Sequence, residues 1–364
     1  MENEKEIKIA DLFGGVGGFR LGIERAINNK FNTSTFNKDE GIKSNIASSD
    51  GGWRRTYSNV RCVFYSDIDK YAVQTYNKNF GETYEATDIR TIKADSIPDI
   101  DMLCGGFPCQ AFSIAGKRKG FNDTRGTLFF EIARIVKAKR PKIVFLENVK
   151  GLLNHEKGQT FSIILNTLWE LGYDVQWMVL NSKFFGVPQN RERIFIIGNL
   201  RGTGRSEILP FGESYEKDGI EIRRIGHMKR FRRYNQTYDI SGGCEALDTS
   251  QGGGHQPCVM TQVHNMQPRS PNRPSLKYSS GGSGHLQRDD ISYCLDGGNT
   301  NAVEFSNMKI RRLTPTECER LQSFPDGWTE GVSDTQRYKQ MGNAVTVNVI
   351  EAIAARLLEN DNRR

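Results

Sequence analysis

Strand-like and helix-like segments alternate along the first half of the chain. Buried strands are predicted for the apolar runs at residues 7–13, 60–69, 100–107, 142–148, 173–181 and 193–200. Helical patterns lie between them at residues 19–27, 70–80, 126–139 and 160–172. Alternation of this kind places helices on both faces of a mostly parallel sheet. We therefore predict an α/β protein with a doubly wound sheet that binds ligands at the carboxyl ends of its strands.

The composition favours a folded protein of the cytosol. The 364 residues are 37% hydrophobic, and the seven cysteines are unevenly spaced, which does not indicate a disulfide framework. No apolar run approaches the roughly 18 residues that cross a bilayer. The charged start MENEKEIKIADLF leads directly into a strand and does not resemble a signal peptide. These features predict cytoplasmic localisation without a membrane anchor.

Three units are predicted along the chain. The α/β pattern covers residues 1–198 and is interrupted by a polar insertion at 32–59. Residues 199–331 form a smaller, loop-rich unit, in which Gly, Ser, Asn and Arg dominate up to about residue 305. Residues 332–364 return to a helical pattern and are expected to pack on the first unit. Within the second unit, RRIGHMKRFRR (223–233) is typical of phosphate contacts, although a solvated face would explain it as well.

A glycine-rich turn follows the first strand in DLFGGVGGFRLG (11–22). It is similar to a dinucleotide fingerprint, but Arg20 stands where the third glycine is expected. The pattern favours a nucleotide-like ligand without a pyrophosphate, and Asp67 at the end of the second strand can accept both hydroxyls of a ribose. A tight structural turn is the alternative interpretation.

Chemically reactive residues follow two further strands. Cys109 lies in GGFPCQAFSIAGKRKG (105–120), a glycine-flanked and basic setting that favours a thiolate over a buried thiol. Glu147 directly follows an apolar run, where poor solvation raises a carboxyl pKa and suits a general acid. Arg191 and Arg193, two apart on a strand, are expected to face the same site. The alternative for Glu147 is a carboxylate that stabilises a helix N-terminus. The alternative for Arg191 and Arg193 is surface charge at the end of a strand.

The C-terminal motifs have structural explanations of their own. Thr314, Pro315 and Glu317 form the capping-box pattern of a helix start. Asn343, on the turn QMGNAVTVNV, either contacts a ligand or only caps the last helix. The Cys and His residues of the second unit form no C-x-x-C or H-x-x-x-H pair, the spacings typical of metal ligands, so no metal site is predicted.

Six motifs in order resemble the cytosine-5 DNA methyltransferases of bacteria and phages, which use S-adenosylmethionine. They are DLFGGVGG, GGFPCQAFS, ENVKG, QNRERIF, RRLTPTECERLQSFP and MGNAVTVNV, and they frame the chain except for 32–59 and about 199–305. The resemblance implies an S-adenosylmethionine-dependent methyltransferase sheet with a target-recognition domain at 199–331. It assigns Cys109 as the nucleophile and Glu147 as the acid that engages the base, supported by Arg191 and Arg193.

The resemblance also implies the remaining site residues. Those expected at the methyl donor are Phe13, Gly14, Gly15, Gly17, Gly18, Asp67, Ile68, Asp88, Ile89, Leu128, Asn343 and Val345. Those expected at DNA are Gln110, Ser113, Lys117, Arg118, Lys119 and Arg125. Asp67 and Ile68 depart from the family pattern, in which a glutamate and often an aromatic residue occupy these positions.

The resemblance predicts a sequence-specific DNA (cytosine-5-)-methyltransferase of a restriction-modification system or a phage. It is expected to act as a monomer on flipped-out cytosines in double-stranded DNA, alongside a cognate restriction endonuclease. Three alternatives are less well supported. A tRNA-methylating relative has a shorter variable region, and a catalytically silent DNA-binding protein would not need intact PCQ and ENV motifs. A nicotinamide-dependent oxidoreductase would explain only the first glycine motif.

Overall fold

The computed structural model describes residues 6–34, 60–108, 128–204, 208–209 and 313–359, together with short strands between residues 224 and 312. The first helix, α1, continues to Ser34, so residues 32–34 of the predicted insertion are helical. The rest of that insertion, residues 35–59, lies outside the described part of the chain.

A six-stranded sheet forms the centre of the molecule, and the predicted α/β fold is confirmed. Its strands are β1 (Ile7–Leu12), β2 (Val60–Ser66), β3 (Met102–Gly106), β4 (Ile143–Val149), β5 (Tyr173–Asn181) and β7 (Glu192–Leu200), in the spatial order β2-β1-β3-β4-β7-β5. The neighbouring strands β2, β1, β3 and β4 pair in parallel. Strand β7 is antiparallel to both of its neighbours, β4 and β5. The carboxyl ends of β1 to β4 therefore meet at one edge.

Helices cover both faces of this sheet. They are α1 (Gly18–Ser34), α2 (Lys70–Phe80), α3 (Leu128–Lys139), α4 (Gln159–Glu170), α5 (Pro315–Leu321), α6 (Asp334–Asn343) and α7 (Val347–Glu359). Successive β1 residues point to opposite faces: Ile9 belongs to the core under α1 and α7, and Ala10 to the core under α3 and α4. A Cβ at Gly22 would stand 2.7 Å from Ile350, so glycine permits the close contact of α1 with α7.

The C-terminal helices pack against α1, α2 and the central sheet. Thr314 and Glu317 form the expected capping box of α5, with Pro315 at the first position. Leu313, Phe324 and Trp328 share a hydrophobic cluster with residues of α1 and α2, and Trp328 donates a hydrogen bond to the Val16 carbonyl at 2.9 Å. Residues that the sequence prediction assigned to the 199–331 unit therefore take part in this packing.

Short strands occupy the described parts of the variable region. They are β8 (Arg224–His227), β9 (Gln236–Tyr238), β11 (Cys258–Gln262), β12 (Glu304–Phe305) and β13 (Met308–Arg312), which form a second sheet in the order β12-β13-β11-β9-β8. A further strand, β10 (Cys244–Glu245), pairs with β6 (Gln189–Asn190). The assignment of this region as a target-recognition domain stays a prediction.

One apolar helical stretch has the length of a membrane span. It runs from Asp334 to Leu358, and 67% of its most apolar window is buried within the part of the chain that the structure describes. Two α-helices, α6 and α7, divide this stretch, and both pack into the core. Its apolar character is that of core helices.

Candidate active site at the carboxyl edge of the sheet

A cavity of about 730 Å³ opens at the carboxyl edge of the parallel strands. It brings together fourteen of the predicted site residues from both ends of the chain. They are Phe13, Gly14, Gly15, Gly18, Asp67, Ile68, Asp88, Ile89, Leu128, Glu147, Arg191, Arg193, Asn343 and Val345. We call the part formed by residues 13–18, 67–69 and 88–89 the turn side, and the part formed by Glu147, Arg191 and Arg193 the carboxylate side.

The glycine-rich turn after β1 builds one wall of the turn side. Phe13 and Gly15 adopt positive φ angles of 54° and 53°, and Tyr65 donates a hydrogen bond to the Gly15 carbonyl at 2.8 Å. Gly17 is absent from the cavity lining. A Cβ there would stand 2.2 Å from the ring of Phe80, so this glycine serves the packing of the turn against α2.

A fully buried acid that the sequence reasoning missed supports the turn from below. Asp11 is 0% exposed, and burial raises its pKa to about 7. A Cβ at Gly14 would approach the Asp11 carboxyl carbon to 2.7 Å. The first glycine of the turn, Gly14, is therefore required by its closeness to this acid.

Asp67 lies beside the glycine turn on the turn side. Its two carboxyl oxygens accept hydrogen bonds from the backbone N–H of Gly15 at 2.9 Å and of Asp69 at 2.8 Å. Burial raises the pKa of Asp67, while these backbone bonds oppose the rise. The next residue, Ile68, is 70% exposed and lines the cavity. The fixed carboxyl of Asp67 can bind the hydroxyls of a ribose, and the exposed side chain of Ile68 can pack against the attached base.

Asp88 forms the far end of the turn side. It accepts a hydrogen bond from the Arg90 backbone N–H at 3.0 Å, which caps the 3₁₀ helix Ile89–Thr91. The Arg90 guanidinium lies 2.5 Å from Asp88 and lowers the pKa of its carboxyl to about 2. Asp88 is therefore ionised at physiological pH and can accept hydrogen bonds from a ligand.

The carboxylate side is built around a buried ion pair. Glu147 stands at the end of β4, and its Oε1 lies 3.1 Å from Nε of Arg193 on β7, which runs antiparallel beside β4. Burial raises the pKa of Glu147, and the charges of Arg193 and Arg191 oppose the rise. Gly106 at the end of β3 pairs with Glu147 on β4, and a Cβ at Gly106 would stand 3.2 Å from Glu147 Oε2. The carboxyl thus has room at the cavity wall.

Arg191 connects the carboxylate side to the turn before α7. Its Nη2 donates hydrogen bonds to the carbonyls of Gly342 at 3.1 Å and Ala344 at 2.8 Å, so it brackets Asn343 on the turn before α7. Burial lowers the pKa of Arg191 to about 9, and the neighbouring charge of Arg193 adds to this effect. The sequence placed Arg191 at the site but could not show that it holds the Asn343 turn.

Sequence reasoning missed three further residues at the cavity. Asn148 donates a hydrogen bond to the Phe107 carbonyl at 2.8 Å and thereby ties the end of β4 to the end of β3. Asp69 caps α2, and Lys339 on α6 contacts Asp69 at 2.6 Å. Only Asp69 carried a local signal, because an aspartate directly before a helical pattern is an N-cap candidate.

Several predicted residues lie outside the described part of the chain: Cys109, Gln110, Ser113, Lys117, Arg118, Lys119 and Arg125. The residues that flank this segment, Pro108 and Leu128, both line the cavity. Among the residues that the structure describes, no group of three or more His, Cys, Asp or Glu side chains is arranged for a metal ion.

The chain is similar to known proteins over almost its whole length. Residues 7–359 match the model of the family described as C-5 cytosine-specific DNA methylase. The Type II methyltransferase M1.ScrFI of Lactococcus lactis subsp. cremoris is 39% identical, with 98% of this chain and 80% of that protein covered. The Type II methyltransferase M.HhaI of Haemophilus parahaemolyticus is 34% identical, with 96% and 93% covered.

Solved structures show a related fold. The Dnmt2 methyltransferase of S. pombe superposes with a TM-score of 0.61 at 17% identity and covers 98% of this chain and 100% of its own. A DNA modification methyltransferase encoded within a prophage of E. coli superposes with a TM-score of 0.59 at 19% identity, with 98% and 100% covered. At such identities these two structures bear on the fold alone.

Proposed function

Because the chain belongs to the C-5 cytosine-specific DNA methylase family, we propose that it methylates carbon 5 of a flipped-out cytosine through a covalent adduct with Cys109. The observation that carries this proposal is the buried Glu147–Arg193 pair, 3.1 Å apart, on the wall of a cavity that also holds the glycine turn and Asp67. The glycine turn suits the methyl donor and the buried acid suits the cytosine that accepts the methyl group, so one cavity would hold both reactants side by side.

The family implies S-adenosylmethionine as the methyl donor, and the turn side fits such a ligand. A carboxylate held by two backbone N–H groups, at Asp67, suits two ribose hydroxyls, and the ionised Asp88 suits the amino group of an adenine. Ile68, Leu128, Asn343 and Val345 line the same cavity and would complete the contacts. When bound, the donor supplies an electrophilic methyl group on a positively charged sulfur.

The remaining chemistry is assigned to residues of the chain. Carbon 5 of cytosine is a poor nucleophile, and addition of the Cys109 thiolate to carbon 6 converts it to an enamine-like one. Once carbon 5 carries the methyl group, water acting as a base removes its proton, the double bond between carbons 5 and 6 re-forms, and the carbon 6–sulfur bond breaks to release the Cys109 thiolate. Pro108 lies on the cavity wall, which supports a position of the adjacent Cys109 at this site.

Glu147 is assigned to hold a proton at ring nitrogen 3 while the thiolate adds. This role needs a carboxyl whose pKa lies above its usual range, and burial raises the pKa of Glu147. Arg193 orients the carboxyl through its Nε, and Arg191 supports the turn that carries Asn343. The reacting atoms of cytosine are hidden in a duplex, so the base must leave the stack at a cost of a few kcal/mol.

The relatives named above suggest the biological setting in which the chain acts. Both are Type II methyltransferases. We propose that the chain acts in the cytoplasm as a monomer on double-stranded DNA, with a cognate restriction endonuclease that cuts the same sequence, or that it protects phage DNA. The basic segment with Gln110, Ser113, Lys117, Arg118, Lys119 and Arg125 is proposed to contact the DNA.

Bisulfite sequencing tests the proposal directly. Expression in a host that lacks cytosine-5 methylation should leave cytosines protected within one short motif of host and plasmid DNA. The Cys109→Ser variant should give no protection and no covalent complex with DNA that carries 5-fluorocytosine. Folded wild-type protein that leaves every cytosine unprotected would contradict the activity, and retained methylation by Cys109→Ser would place the nucleophile elsewhere.

A further inference from the structure

We propose that Lys339 is a positioning residue for the methyl donor, which acts through Asp69 to keep Asp67 ionised and in place for the ribose. This inference rests on the proposed function, because it concerns the ligand of Asp67. Its effect on the donor passes through Asp69 and Asp67 and needs no direct contact with the donor.

The geometry supports a relay of three side chains along the rim of the cavity. Nζ of Lys339 lies 2.6 Å from Asp69 Oδ2. The other oxygen of Asp69 accepts the backbone N–H groups of Tyr71 and Ala72 and caps α2, while the Asp69 backbone N–H binds Asp67 Oδ1 at 2.8 Å. All three members of the relay line the cavity. A movement of Asp69 would therefore change one of the two hydrogen bonds that fix Asp67.

The charges around Asp67 explain why a cation is needed there. Its titratable neighbours are Asp11 on β1, Tyr65 on β2, Asp69 at the start of α2 and Lys339 on α6. Burial and the charge of Asp69 raise the pKa of Asp67, and the charge of Lys339 lowers it. Burial raises the pKa of Asp69, but the hydrogen bond and charge of Lys339, together with the backbone N–H groups of Tyr71 and Ala72, bring it below its usual value. Lys339 is thus the neighbour that favours two ionised carboxyls two residues apart.

If Lys339 only held α6 against α2, its loss would weaken both ligands equally and would not shift the pH dependence. Gln340 also joins α6 to α2, with a hydrogen bond to the Tyr71 carbonyl at 2.9 Å. Lys78 joins α2 to the C-terminal segment through the Glu330 carbonyl at 2.9 Å and lies outside the cavity lining. Lys78→Met therefore removes a lysine between the same parts of the fold and leaves the Asp67–Asp69 pair intact, which makes it the matched control.

Calorimetric binding of S-adenosylhomocysteine and of its 2′-deoxyribose analogue, measured between pH 5 and 9, provides the test. We expect Lys339→Met to bind S-adenosylhomocysteine about three- to fivefold more weakly, as for the loss of a partly exposed ion pair. The preference for the ribose over the deoxyribose compound should shrink, because an ionised Asp67 is the group that reads the hydroxyls. Lys339→Arg should restore both values, and Lys78→Met should leave both unchanged.

The pH dependence gives an independent readout. Asp67 is protonated below its folded pKa, so donor affinity falls on the acid side. Without Lys339 the pKa of Asp67 is higher, and the acid-side loss of affinity should begin at a higher pH than in the wild type. Equal weakening of both ligands by Lys339→Met, or an unshifted acid side, would overturn the inference. Wild-type protein that binds neither ligand would contradict the proposed function as well.

Discussion

The two sides of the cavity hold their charges differently. The turn side combines backbone N–H groups with side chains at the rim, such as Asp88 with its pKa of about 2 and Ile68 with 70% exposure, and burial raises a pKa on this side at Asp67. The carboxylate side relies on charges withdrawn from water, since Glu147 is 8% and Arg191 2% exposed. Burial raises the pKa of the Glu147 carboxyl and lowers that of Arg191 to about 9.

Under the proposed function, this difference separates binding from chemistry. A group that only holds a ligand functions best in one fixed charge state, as Asp88 does beside Arg90. A group that exchanges a proton needs a pKa moved toward the working pH, and burial is the means by which a protein moves it. A buried ion pair such as Glu147–Arg193 adds little net stability, so its presence is better explained by function. Variants on the two sides should therefore affect different measurements.

The largest effect is expected on the carboxylate side. Glu147→Gln should lower the turnover of DNA by about 10²- to 10⁴-fold, the range for loss of a general acid, with little change in donor affinity. Wild-type activity should fall toward alkaline pH as Glu147 loses its proton. Rapid-quench kinetics at saturating donor and calorimetry with S-adenosylhomocysteine measure the two quantities.

Glu192→Gln is the matched control for this variant. Glu192 precedes Arg193 on the same strand, but its carboxylate is exposed and binds Lys150 at 2.9 Å. Its turnover should stay close to that of the wild type. A large loss of donor affinity in Glu147→Gln would show that the two sides are not separate in function.

Arg191 is where the separation should fail. Its guanidinium belongs to the carboxylate side, yet it holds the carbonyls on either side of Asn343. Arg191→Lys keeps the charge with a different reach, so we expect donor affinity and turnover to fall together, each about tenfold, as for a lost charged hydrogen bond. Arg201→Lys, at an arginine whose pair with Asp174 is exposed, should change neither. A change in only one of the two quantities would assign Arg191 to a single side.

Local patterns in the sequence were sufficient for the central sheet and for part of the site. Apolar runs predict every long strand, and the Glu147 and Arg193 positions follow from the ends of such runs. The reversed direction of β7 was not predicted. It follows from the connection after β5, which contains no α-helix and so cannot provide a parallel crossover.

The rest of the site depends on contacts between distant parts of the chain. Lys339 meets Asp69 across 270 residues, and Arg191 meets Ala344 across 153. No period or motif records such pairs, because they arise only when α6 and the following turn pack against the sheet edge. Gly17 adds a further case: the motif did not show that a side chain at this position would collide with the ring of Phe80 on α2.

The smallest expected effect tests the turn side alone. Ile68 stands where the family often has an aromatic residue, and its side chain is free to contact a base in the cavity. Ile68→Trp should tighten donor binding by about three- to tenfold, since stacking adds roughly 0.5–1.5 kcal/mol to apolar burial, and should leave turnover at saturating donor unchanged. Ile163→Trp, on the exposed surface of α4, controls for an added indole. Unchanged affinity in Ile68→Trp would mean that residue 68 does not pack on the adenine, and the apolar contact would then fall to the other lining residues, Leu128 and Val345.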